Sequence, residues 1–292
     1  SQWKFGGSKW KTIKLADVPS WIPTNRYIFQ GYRPPLNKMS SCLWSIFRFH
    51  NETTNIWSHL IGLLIIIYIS IYNYPKEQLT LQDHIGYQSH LLGMIISYFC
   101  STLFHTFSCH SHSIGSICVR LDYFGISCTI FGNLISLFYF LNYCSPSLML
   151  ALSTVLFISA AKISQSELFN ENDFYARFLR SFIFTLFASL SILPCVILFY
   201  NRSFYLANGW HEINEVLVKF VMMLGTYFCG MIIYAMQFPE KFYFFEINSW
   251  WNQFVYSHPI FHAFVVLASL MLNSLINDIV KYKDMIKFHC DN

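Results

Sequence analysis

The chain has 292 residues, of which 54% are hydrophobic, 19% aromatic and only 12% charged, with a formal net charge of +4. A soluble domain carries about 25% charged residues, so this composition excludes an ordinary soluble protein and places the chain among membrane proteins. The small positive excess matches a membrane asymmetry in lysine and arginine and gives no sign of nucleic-acid binding.

Residues 1–56 read as a cytoplasmic N-terminal segment, because they lack the compact apolar core of a signal peptide and carry scattered lysines. Ser1 to Leu15 gives no fold signal. Trp44, Ile46, Phe47 and Phe49, set among Lys38 and Arg48, form a basic amphipathic stretch suited to a membrane surface, with a short connector as the equal alternative. Residues 57–276 then hold seven apolar stretches, each of a length to cross roughly 30 Å of hydrocarbon. They run Trp57 to Tyr74, Ile85 to Phe107, Val119 to Tyr143, Ser147 to Ala161, Phe178 to Tyr200, Val218 to Phe238 and Phe254 to Ile276, the fourth being the weakest. The expected fold class is an all-α membrane protein, a seven-transmembrane helix bundle.

Orientation follows from the basic residues. Those from Lys4 to Arg48 precede the first span, and Arg120, Lys162, Arg177, Arg180 and Lys241 fall on the same side of the bundle, against six on the other side, Lys76, Arg202, Lys219, Lys281, Lys283 and Lys287. The excess predicts a cytoplasmic N-terminus and, with seven spans, an extracellular or lumenal tail over residues 277–292. Asn201-Arg-Ser203 is a glycosylation sequon on the outer side, set too close to span five for ready use. The nine cysteines show no C-x-x-C, and Cys100, Cys128, Cys195 and Cys229 read as packing residues within spans.

Four polar side chains stand where lipid would penalise them by a few kcal/mol each: His105, Asp122, His258 and His262. Span two approaches the inner side at His105, span three leaves it at Asp122, and span seven leaves it at His258 and His262. All four therefore reach one depth, in the cytoplasmic leaflet. His258 and His262 are one turn apart on one helix face, with Ser257 as the expected cap and Pro259 in the first turn. Ser101 repeats that relation to His105, so its hydroxyl is placed near a ligand or a substrate oxygen. Three neutral imidazoles and an open position favour zinc, although iron and copper also accept histidine, and Asp122 would hold a bound water. His59 reads as interfacial packing, and His110 and His112 as solvated loop residues.

The blocks Ser101-Thr-Leu-Phe-His105-Thr-Phe-Ser-Cys-His110-Ser, Leu121-Asp122-Tyr-Phe-Gly125 and Ser257-His258-Pro-Ile-Phe-His262 closely resemble the progestin and adipoQ receptor family, nearest its adiponectin receptors, and related to haemolysin III-type membrane proteins. Gly31-Tyr-Arg33-Pro-Pro35, Ser45-Ile-Phe-Arg48 and Glu52-Thr-Thr-Asn-Ile-Trp57-Ser-His59-Leu carry the match upstream, while Pro239-Glu-Lys-Phe-Tyr243 departs from the receptor pattern. The resemblance implies seven helices around an intramembrane zinc ion, with His105, His258 and His262 as ligands, Asp122 on the bound water and Ser101 nearby. It also implies a function: an adiponectin-receptor-like membrane receptor that hydrolyses a ceramide-like lipid amide through zinc-activated water. The alternatives are a non-catalytic sensor of bilayer lipid or a steroid-type (progestin) receptor with structural zinc. The expected partners are a ceramide-like lipid or a free fatty acid, with a protein hormone or a steroid as outside ligand.

Overall fold

The computed structural model describes residues 10–73, 75, 78–141, 146–166, 174–241 and 250–286. The expected span ends at Tyr74 and Tyr143, Tyr243, Lys76 and the tail from residue 287 on lie outside the described residues, as do residues 1–9. Helices dominate: α1 (Met39–Ser45), α2 (Thr53–Tyr72), α3 (Leu81–Phe107), α4 (His112–Leu141), α5 (Pro146–Ile163), α6 (Phe174–Ala188), α7 (Ile192–Tyr200), α8 (Arg202–Ala207), α9 (Ile213–Met236) and α10 (Ser257–Val280). The one strand pair among the described residues joins β1 (Ile13–Lys14) to β2 (Gln30–Tyr32), antiparallel.

Among the described residues six helical runs are long and apolar enough to cross a membrane, and the seventh, Ser147–Ile163, is shorter, in keeping with the weak fourth stretch. Large apolar side chains such as Leu148, Val155, Phe178, Phe182, Val196 and Phe199 point outward. A water-facing surface would penalise that much contiguous apolar area, whereas lipid does not. The chain is a multi-pass membrane protein.

Span five, expected as one helix from Phe178 to Tyr200, is interrupted by a 3-10 turn at Ser189–Ser191. Pro194 is the cause, since it has no N–H for the Leu190 carbonyl and its ring crowds that group. The third span starts earlier than expected, so His112 opens α4 and meets the edge of Trp21 at 6.4 Å. Span two starts at a capping box, in which Thr80 and Asp83 bond each other's backbone N–H. Ser257 is not the cap of α10, which is Tyr256.

The helices pack by small residues and by polar bonds across seams. A Cβ on Gly132 would stand 2.2 Å from the Ser89 carbonyl oxygen, and one on Gly93 2.5 Å from that of Cys128, so α3 and α4 touch backbone to backbone. Between α3 and α10, Tyr98 donates to Ser269 at 2.7 Å and Tyr87 to Asn277 at 2.9 Å. At the end where α3 begins, Lys283 reaches Asp83 at 2.6 Å, and the Tyr139 hydroxyl donates to the same carboxylate at 2.9 Å. Gly132→Leu should force α3 from α4 and cost about 1–3 kcal/mol of stability. Thermal unfolding in micelles checks this, with Gly225→Ala, whose added carbon meets nothing within 4 Å, leaving the midpoint in place.

Candidate metal centre

Two helix ends meet at the site. α3 finishes two residues after His105, and α10 starts one residue before His258. The last carbonyls of α3 and the first N–H groups of α10 have no partner within their own helices, so other residues must supply them. Arg33, 2% exposed, does so for α3. Its guanidinium donates to the His105 carbonyl, to the Thr106 carbonyl at 2.9 Å, and to the Ser45 and Ser108 hydroxyls at 2.8 and 3.2 Å. Glu240 does so for α10, accepting from the Ser257 N–H at 2.7 Å and from its hydroxyl at 2.5 Å. Asn25 in turn donates to Glu240 at 3.0 Å. The N-terminal segment thus fixes the end of α3 through Arg33 and supports the start of α10 through Asn25 and Glu240.

With the ends fixed, His105, His258 and His262 converge. One ring nitrogen from each lies within 4.8 Å of the others, and the group is buried or half-buried. His105 Nε2 and His258 Nε2 are 3.2 Å apart. A tetrahedral ion with nitrogen ligands sets them roughly 3.3 Å apart, so the spacing fits a metal.

The outer nitrogens set the tautomers. Glu52 Oε2 accepts from His105 Nδ1 at 2.7 Å, which leaves the Nε2 lone pair directed at the cluster. Ser58 gives its single proton to the Asn55 carbonyl at 3.0 Å, so its oxygen accepts from His262 Nδ1 at 3.1 Å, with the same result. Glu52 is itself held by Asn51 and Asn55 at 2.8 and 2.7 Å. Burial alone would raise its carboxyl, but the His105 bond, the Arg33 charge and the Asn55 bond hold it down at about 2. It therefore stays a carboxylate. Tyr256 completes the cradle, accepting from Asn55 at 2.7 Å and donating to the Asn51 carbonyl at 3.0 Å.

Asp122 and Ser101 stand beside the histidines. Both are buried, the carboxyl lies next to the hydroxyl, and Ser101 makes no hydrogen bond of normal geometry. Asp122 is not one of the three converging groups. His59, expected to be interfacial packing, is instead 5% exposed and stacks on His262 at 3.6 Å and 11°. Neither of its ring nitrogens has a hydrogen-bond partner among the described residues. It lies seven residues after Glu52, the N-cap of α2, so the two fall on one side of that helix. His110 is half-buried and bonds Ser111 at 3.1 Å.

A cavity of about 750 Å³ opens from His105 and His258. One wall is the N-terminal segment, with Trp21, Pro23 and Ile28; the other carries Tyr123, Arg177, Arg180 and Tyr234. The Arg180 guanidinium lies 5.4 Å from the Tyr123 ring centre.

A family model described as Haemolysin-III related matches residues 47–272. The chain is 29% identical to the adiponectin receptor protein of Drosophila melanogaster over 285 residues, covering 95% of this chain and 62% of that protein. It is 30% identical to progestin and adipoQ receptor-like protein 1 of Caenorhabditis elegans, covering 90% of this chain and 60% of the relative. It is also 30% identical to ADIPOR-like receptor IZH2 of Saccharomyces cerevisiae, covering 89% and 82%. The chain thus spans about three fifths of the length of the first two of these relatives.

Glu52→Gln should weaken metal retention about 10- to 100-fold, because the amide is a poorer acceptor for His105 Nδ1–H. Competition with a graded series of chelators reads the change, and unaltered affinity would remove Glu52 from the site.

Proposed function

The chain belongs to the haemolysin-III related family, and from that membership and its buried histidine cluster we propose an adiponectin-receptor-like membrane protein that hydrolyses a ceramide-like lipid amide with zinc. The observation that carries the reading is the tautomer set of His105 and His262, whose Nδ1 protons are taken by Glu52 and Ser58. Both Nε2 lone pairs then serve one divalent ion. Together with His258 they form a neutral three-nitrogen set, and that set with a fourth position left open is the donor chemistry of catalytic zinc. Zinc bound there supplies a Lewis acid that polarises a carbonyl and acidifies water.

The remaining steps belong to the chain. Asp122 takes the proton of the attacking water at a carboxylate oxygen and returns it to the leaving amine. The Ser101 hydroxyl, without a normal hydrogen bond of its own, donates to the oxygen that gains charge in the transition state. Arg177 and Arg180 give the cavity a positive wall that suits a fatty-acid carboxylate, the product of amide cleavage. The N-terminus is cytoplasmic in this reading, and residues 277–292 are extracellular or lumenal.

A receptor with a structural metal is the second reading, favoured by the relatives named adiponectin receptor and ADIPOR-like receptor. The same experiment separates the two. His105→Ala, His258→Ala and His262→Ala should each lose most of the approximately one zinc per chain and unfold at lower temperature, since buried imidazoles are left without a partner. Asp122→Asn should keep the metal and release no fatty acid from a short-chain ceramide. Equal turnover in wild type and Asp122→Asn removes Asp122 from the chemistry, and no turnover in either leaves the receptor reading. Tags at both ends, stained before and after permeabilisation, read the orientation: the C-terminal tag should stain on intact cells.

A further inference from the structure

Cys42 and Cys109 are far apart in sequence and meet outside the spanning helices. Cys42 lies in α1 at 0% exposure, and Cys109 just beyond α3 at 1%. With Ile22 they form a small buried cluster of their own, bordered by Val18, Trp21, Leu36 and Phe107 and separate from the bundle core. Both thiols lie inside that one cluster, near enough to act on each other. Backbone bonds hold the approach, from Leu36 N–H to the Cys109 carbonyl at 2.9 Å and from Asn37 N–H to that of His110 at 3.1 Å. No third ligand completes a metal site here among the described residues.

We propose that Cys42 and Cys109 are a redox-active dithiol whose oxidation staples the N-terminal segment to the end of α3. Cys42 pulls the Cys109 thiol down, against burial and with help from the Arg33 charge, while Cys109 and burial push Cys42 up. With Cys109 as the attacking thiol and Cys42 as the resolving one, or the reverse, the product is the same disulfide. The oxidant is a hydroperoxide. Cys109 sulfur attacks its O–O bond, an S–O bond forms, and the far oxygen leaves as water or alcohol. Cys42 sulfur then attacks the sulfenyl sulfur, the S–S bond forms, the S–O bond breaks and a water departs. Two thiols are oxidised and one hydroperoxide is reduced. Access comes from local opening, because a small satellite cluster opens at lower cost than a bundle core.

The consequence is mechanical. Arg33, which holds the His105 and Thr106 carbonyls, lies shortly before Cys42 and also bonds Ser45 of α1, so it belongs to the segment that the disulfide would tether to the end of α3. The oxidised form therefore keeps the clamp on α3 shut.

The test is hydrogen peroxide on the purified chain in micelles, followed by alkylation and peptide mass mapping. A Cys42–Cys109 crosslink, reversed by dithiothreitol, is expected, with an upward shift of the melting midpoint that Cys42→Ser and Cys109→Ser abolish. The wild-type crosslink map decides the matter by itself if either serine variant fails to fold. Oxidised Cys109 with Cys42 still a thiol, a crosslink to a different cysteine, or two unmodified thiols that react once the chain is unfolded would each overturn the proposal.

Discussion

The structure depends on pairing two helix termini inside an apolar body. α3 must end, and α10 must begin, where three imidazoles are to meet, and each terminus exposes backbone groups that lipid cannot solvate. Arg33 and Glu240 satisfy these groups with charge of the favourable sign, a guanidinium at a helix C-terminus and a carboxylate at an N-terminus. Removing either would leave a buried terminus unpaired, so the N-terminal segment is part of the histidine cluster's foundation.

The same economy governs the imidazoles. Each is buried or half-buried, and two have an oxygen acceptor assigned to the outer nitrogen, so the inner nitrogens are lone pairs by elimination. Two such lone pairs on neighbouring rings repel unless a cation lies between them. His59, stacked flat on His262, prevents that ring from rotating away. The cluster is held in place by its surroundings, as a pre-organised ligand set must be.

Much of this was legible in the sequence, for identifiable reasons. The spans expected from Trp57, Ile85 and Phe254 came from their mainly apolar runs and overlap α2, α3 and α10, and the depth argument for His105, His258 and His262 needed only chain direction. Residues that act across long sequence separations were not legible. Arg33 and Glu240 look like surface charges until the fold puts them on helix ends, and Cys42 and Cys109 have no spacing that predicts their contact. His59 was misread because one histidine on an apolar helix gives no sign of what it stacks against. Local chemistry explains the break in span five at Pro194, a residue that an apolar run alone does not distinguish from its neighbours.

Asp122 shows why one position back can matter more than contact. A carboxylate within reach of all three imidazoles would complete a four-ligand set, and a closed tetrahedral set is structural. Asp122 is instead buried beside Ser101, outside the converging three. Under the proposed function the fourth position would be left to a small molecule, flanked by one group that can take a proton and one that can give a hydrogen bond. Ser101 sits one helical turn from His105 on the same face of α3, so the hydroxyl and the imidazole are set by a single rigid element. Moving either by a turn would separate the open position from its flanking groups, which is why the spacing of four residues on α3 carries as much of the site as the residue types do.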